Sequence, residues 1–177
     1  MTKSIWTIDP THSEIGFKVK HMMFTNVSGK FTNIQAVIEN ENDNFETSKI
    51  SFTAEVNSID THNEDRDKHL RSADFFDVEN YPNLSFTSTK VEKNKKGNYT
   101  IYGDLTIKDN TQSIALDTAY SGLMKDPWGN TKAGISLTGK INRKEFGLTW
   151  NSALETGGVL VGEDIQLISE IQLMRKE

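Results

Sequence analysis

There is no cysteine in this sequence. Disulfides, zinc–thiolate centres and thiol nucleophiles are therefore excluded. Three prolines and twelve glycines are spread too thinly to form a proline-rich or Gly/Ser linker, so the 177 residues are expected to make one domain, 1–177. A basic excess is also missing. Twenty Lys and Arg against 25 Asp and Glu leave a net charge of −5, which argues against nucleic acid and against a polybasic membrane-surface anchor. No stretch approaches the roughly 18 apolar residues of a membrane-spanning helix. The opening "MTKSIWTIDPTHSE" contains no apolar signal core, and the expectation is a cytoplasmic protein.

What the chain does have is period two. In "EIGFKVKHM", Ile15, Phe17, Val19 and His21 share one face, and Glu14, Lys18 and Lys20 the other. "KISFTAEVNS" sets Ile50, Phe52, Ala54 and Val56 against Ser51, Thr53, Glu55 and Asn57. The same split groups Tyr99, Ile101, Gly103, Leu105 and Ile107; then Ile114, Leu116, Thr118 and Tyr120; then Ala133, Ile135, Leu137, Gly139 and Ile141; then Ile165, Leu167, Ser169, Ile171 and Leu173. Weaker runs are "SGKFTNIQAVIEN", whose phase slips between Phe31 and Ile34 as at a bulge, and "LSFTSTKVEK" with Phe86. One apolar and one polar face per run means antiparallel strands with one wet side. Eight such strands joined by short, turn-rich links predict an all-β, extended, antiparallel up-and-down barrel, which removes its edges by closing. A two-sheet sandwich is the competing architecture.

Strands of this length at about 3.3 Å per residue and a tilt near 40° predict a barrel about 30 Å tall. Gly103, Gly139 and Thr118 on the inner phase leave either a slender lumen or corners at which the sheet coils. In an up-and-down barrel the connections 22–27, 58–82, 108–112 and 142–162 share one end. Two of them are long, so that end is the candidate functional mouth. In 58–82, the Thr61/Glu64 spacing predicts a capping box and a short helix from Glu64 to Ala73. Leu70 and Ala73 face the barrel, Phe75 and Phe76 act as plugs, and Tyr81-Pro82 opens the next strand. In 142–162, Phe146 and Trp150 are expected to stack across one helical turn, with Gly157, Gly158 and Gly162 loosening the return.

Three chemical readings stay open. His62, Asp65, Asp67 and His69 have the residue types of a metal-dependent enzyme, although Asp65, Arg66, Asp67 and Lys68 also read as interleaved surface charge. Asp9, His12 and Ser13 are triad types crowded into five positions, too close in sequence for triad geometry. Asp60 and Asp67 are the residue types of a general acid/base pair, with nothing else in the sequence pointing to that role. His21, on the inner phase at the mouth, is either a core imidazole or a contact for a ligand head group, with Met22, Met23 and Phe24 as an adaptable rim.

The motifs "WTIDPTHSEIGFKVKHM", "VSGKF", "SIDTHNEDRDKHLRSADFFDVENYP", "GDLTIKDNTQSI", "INRKEFGLTWN" and "VGEDIQL" resemble the YceI-like family of lipid- and polyisoprenoid-binding proteins from Trp6 to about Leu173. That resemblance implies a lipocalin-like eight-stranded barrel and a non-catalytic carrier. A long isoprenoid, quinone-like or similar lipid would lie in the lumen, with no other cofactor, often in a homodimer. The candidate ligand-binding residues are then Phe17, Val19, His21, Met23, Phe52, Ala54, Val56, Leu70, Phe75, Phe76, Phe86, Ile101, Leu105, Leu116, Tyr120, Ile135, Leu137, Phe146, Trp150, Ile165 and Leu167. A packed-core structural barrel without a ligand is the remaining alternative.

Overall fold

The structure, a computed structural model, describes residues 2–152 and 160–176. Eleven strand segments form one antiparallel sheet: β1 Lys3–Ile8, β2 Glu14–His21, β3 Thr25–Phe31, β4 Ile34–Glu41, β5 Asn44–Glu55, β6 Ile59–Asp60, β7 Asn83–Lys93, β8 Tyr99–Ile107, β9 Asn110–Lys125, β10 Thr131–Asn142 and β11 Val161–Arg175. Three of the eight strands that make the barrel are each built from two segments. Trp6 on β1 sits opposite Arg175, and Val19 on β2 opposite Ile165, so β1 and β2 run end to end along β11. Likewise β3 pairs with β2 and β4 with β1, the break falling at Thr32-Asn33, where the apolar phase slips. β6 continues β5 after a turn at Val56–Ser58. Counted this way, eight strands follow one another around a closed up-and-down barrel, the last pairing with the first. β1 is the segment that the alternation did not reveal.

The break between β1 and β2 is a single 3₁₀ turn, Pro10–His12, started by Asp9 and Pro10. Asp9 accepts hydrogen bonds from the Thr11 amide at 3.1 Å and the Thr11 hydroxyl at 2.7 Å, and its other oxygen lies 2.9 Å from His12 Nδ1. Ser13 ties the kink to β11, its hydroxyl accepting the Gln172 amide at 2.9 Å, while the Gln172 side chain donates to Asp9 at 3.3 Å. The three triad-type residues therefore fasten a strand kink. The His12 and Thr11 side-chain hydrogen bonds hold the Asp9 carboxyl down at about 2. A carboxyl depressed in the folded state adds stability that is complete above its unfolded value and lost as pH falls through the folded one. The stability gap between wild type and Asp9→Asn should therefore be full at neutral pH and shrink as pH drops from about 4 towards 2. Urea denaturation at a series of pH values checks this, and a gap independent of pH would contradict it.

The turns at one end are tight. Asn42 and Asp43 take φ of 54° and 57° between paired Glu41 and Asn44, the two-residue hairpin that suits the twist of the flanking strands. Aromatic side chains fill the barrel at this end. Phe45 lies 4.5 Å from Tyr120 and 4.9 Å from Tyr99 between ring centres, Trp6 is buried beside them with its indole N–H on Asn40, and Arg175 pairs with Asp43 at 2.7 Å. Burial pushes the Tyr120 hydroxyl above its ordinary pKa, helped by the nearby Tyr99 and Asp43.

The four connections expected at the mouth do meet there. Met22 N donates to Leu160 O, Asn110 Nδ2 to Phe146 O and Gln112 Nε2 to Glu145 O, while the His69 ring packs edge-on against Trp150 at 4.6 Å. The long 61–82 connection carries the only α-helix among the described residues, α1 Glu64–Arg71.

Candidate functional site

Between the aromatic floor and α1 the barrel is hollow. A cavity of about 210 Å³ runs from Leu70, Phe75 and Phe76 at the mouth to Leu173, Ile38 and Ile50 near the floor. Val161 and Leu173, both in its wall on β11, are twelve residues apart, which at ~3.3 Å per residue and a ~40° tilt is an axial span of about 30 Å. The interior is thus neither solid nor wide. It is a narrow blind tube, larger than the ~150 Å³ apolar cavities that stay dry and admit small hydrocarbons.

Fourteen of the 21 candidate residues form part of its wall: Phe17, Val19, Phe52, Leu70, Phe75, Phe76, Phe86, Ile101, Leu105, Leu116, Ile135, Leu137, Ile165 and Leu167. The other seven lie elsewhere. Tyr120 belongs to the floor, because alternation reports the face of a strand and not the height along it. Ala54 and Val56 are inward but sealed in packed core. His21 ends β2 half-buried beside Val161, outside the wall. Met23 points into solvent, 58% exposed. Phe146 and Trp150 do not stack on each other. Gly147, at φ 78°, ends the Arg143–Phe146 turn after one winding, so no i,i+4 face forms. Phe146 is buried completely, and Trp150 joins Phe75 and His69 above the tube.

The inner glycines do not widen the lumen either. A Cβ on Gly103 would stand 2.4 Å from the Phe86 ring, and one on Gly139 would stand 2.7 Å from Leu116. Each glycine makes room for a neighbour that then lines the tube, and Phe17 covers Gly29 in the same way. Thr118 is buried, its hydroxyl donating to Leu116 O.

At the mouth, α1 starts at Glu64 as the sequence implied, but Thr61 does not cap it. Asn63 is the N-cap, accepting the Arg66 amide at 3.0 Å, and the helix ends at Arg71 with Ser72 as its C-cap. Thr61 is held from the other side. Asp67 accepts both its amide and its hydroxyl, and Arg66 donates to its hydroxyl and carbonyl. Asp67 is therefore buried rather than part of a solvated charge stripe. The candidate metal residues diverge accordingly. His62 is exposed, Asp65 faces solvent, Asp67 turns inward to Thr61, and His69 Nε2 lies 2.9 Å from Asp74. Among the described residues no three His, Asp or Glu side chains converge as a metal site would need.

Arg143 was not among the candidates, although it continues the inner phase of Ile135, Leu137, Gly139 and Ile141. Its guanidinium is buried in the wall at the mouth. Nε donates to Gly162 O at 2.8 Å, Nη1 to the carbonyls of Leu148 and Trp150, and Nη2 to Val161 O. Burial pulls its pKa below the ordinary arginine value, with Glu163 opposing. Arg143 and Ser169 are the polar side chains of a wall that is otherwise apolar.

Comparison with known proteins now adds to this geometry. The YceI-like domain profile matches residues 6–173. The chain belongs to the YceI-like family. A UPF0312 protein of Staphylococcus aureus strain N315 is 38% identical over 162 residues, covering 91% of this chain and 92% of its own. The crystal structure of a Campylobacter jejuni YCEI protein superposes with a TM-score of 0.76 at 36% identity, over 96% of each chain. A polyisoprenoid binding domain from Saccharophagus degradans superposes with a TM-score of 0.67 over 97% of this chain and 98% of its own; at 10% identity that likeness concerns the fold alone.

Proposed function

We propose that this YceI-like barrel is a non-catalytic carrier that sequesters a long-chain isoprenoid or similar lipid, its tail in the tube and its head at the α1 end. The observation that carries this reading is the shape of the cavity: about 30 Å long by strand geometry, blind at the floor, and walled by side chains of which, among the described residues, only Arg143 and Ser169 are polar. Such a wall recognises length and slenderness. Each buried methylene contributes about 0.8 kcal/mol before ordering costs, so affinity does not require a constellation of polar groups. The Saccharophagus degradans domain that shares this fold is a polyisoprenoid binding domain, and the ligand class proposed here is the same.

A homologous series of straight-chain alcohols tests the reading by competition with a fluorescent lipid probe. Affinity should climb by up to about fourfold per methylene and level off once the chain spans the tube. Affinity independent of chain length would overturn it.

A further inference from the structure

The rim beside the mouth carries a second feature. The turn between β2 and β3 is Met22, Met23 and Phe24, exposed by 45%, 58% and 83%. Met22 and Met23 sit at φ 53° and 65°, a left-handed conformation that Gly or Asn adopts at lower cost. Three large apolar side chains thus stand together in solvent at a hairpin tip, where turn chemistry favours small polar residues. Their backbone is tied to the mouth through Met22 N on Leu160 O.

Charge departs from the chain average at the same place. Residues 15–31 contain Lys18, Lys20 and Lys30 and no Asp or Glu, in a protein of net charge −5. Lys18 and Lys20 are exposed on the outer face, across from Ser28 and Asn26, and Lys30 lies two rungs further down, opposite Gly16. On the adjoining β11, Glu163 is paired with Lys144 at 2.7 Å and Asp164 with Lys140 at 3.2 Å, while Asp60 on β6 lies opposite Lys30 and Glu64 and Asp65 stand exposed on α1. An apolar tip with lysine shoulders has the complementarity of an anionic lipid surface: the tip enters the headgroup region and the lysines meet the phosphates.

We propose that the β2–β3 hairpin docks this barrel on anionic lipid bilayers, bringing the mouth of the tube to the membrane. The purpose of that docking rests on the carrier reading; the docking itself does not. The exposed Trp128, in the turn at the floor end, provides the internal comparison. It is 82% exposed but stands beside the Asp126 carboxylate, which accepts its amide at 2.9 Å, and far from the mouth.

The test is flotation with vesicles of phosphatidylglycerol and phosphatidylcholine in equal parts, against vesicles of phosphatidylcholine alone. Wild type should float with the anionic vesicles, and salt should release it. Met23→Ser/Phe24→Ser should bind at least about tenfold more weakly, and each of Lys18→Gln and Lys20→Gln about fivefold. Trp128→Ser should bind as wild type. All five positions are exposed, so folding is not at issue. The proposal is overturned if the tip variant floats as wild type, or if Trp128→Ser loses as much. It is also overturned if the tip variant merely turns a dimer into a monomer in sedimentation, which would identify a second copy as the occupant. Lipid extracted from the same preparations reports on the carrier reading separately. A tip variant that keeps its extractable lipid and loses flotation supports docking, and an empty wild-type barrel that still floats sinks the carrier reading alone.

Discussion

Ala36→Phe should leave the barrel folded and cost long-chain lipids roughly a hundredfold in affinity. Ala36 lies on β4 opposite Phe52, nearly buried, in the deeper part of the tube wall. In a filled core an added ring costs about 1–3 kcal/mol of strain. Here it projects into open space, so the stability change should stay within about 1 kcal/mol. A ring across a tube this narrow excludes everything beneath it. Displacing about four methylenes forfeits ~3 kcal/mol, which is about a hundredfold in binding. Short chains that end above the block should bind as before. Thermal melts and probe competition with short and long alcohols measure the two effects together; equal loss for short and long chains would indicate that the variant distorted the site instead of shortening it.

Arg143→Ala should destabilise the fold by at least about 1–3 kcal/mol, the cost of leaving even one buried hydrogen-bonding group unsatisfied, with four carbonyls losing their donor at once. The carbonyls of Leu148, Trp150, Val161 and Gly162 all turn towards this one guanidinium, two of them just after the Arg143–Phe146 turn and two at the start of β11. Arg143→Lys should recover only part of the loss. An ammonium is a compact point charge with three donors and lacks the planar fork that reaches four acceptors on different sides. A shift in denaturant midpoint, with faster amide exchange at Leu148 and Met22, is the expected signature. A variant as stable as wild type would show that the bonds to Arg143 contribute little.

Alternation carried most of the fold. Inner and outer faces on six of the strands follow directly from period two, since the pleat leaves no freedom in which side a residue takes once one is buried. The slip between Phe31 and Ile34 marked the real break between β3 and β4. Depth was not legible. Ile114 and Tyr120 share a face of β9, yet one lines the tube and the other seals its floor, because height depends on shear and tilt that no local pattern encodes. Nor were the loop contacts legible. Gly147 ended the Arg143 turn before Phe146 and Trp150 could meet, and Thr61 went to Asp67 and Arg66 instead of capping α1; one was settled by a left-handed glycine and the other by competing local partners that spacing alone does not rank. Arg143 was within reach. It extends a run of inner-phase residues by one step, but a charged residue at a strand end reads as loop unless the carbonyls that satisfy it are already in view.

The central claim is that the hollow axis holds an oily tail. Native mass spectrometry of the protein isolated without organic solvent, followed by extraction and mass determination of whatever is released, tests it most directly. The account predicts a stoichiometric adduct that is lost on extraction and greatly reduced in Ala36→Phe, with a released molecule bearing a long apolar chain. A bare polypeptide mass, unchanged after incubation with long-chain isoprenoids, would contradict it.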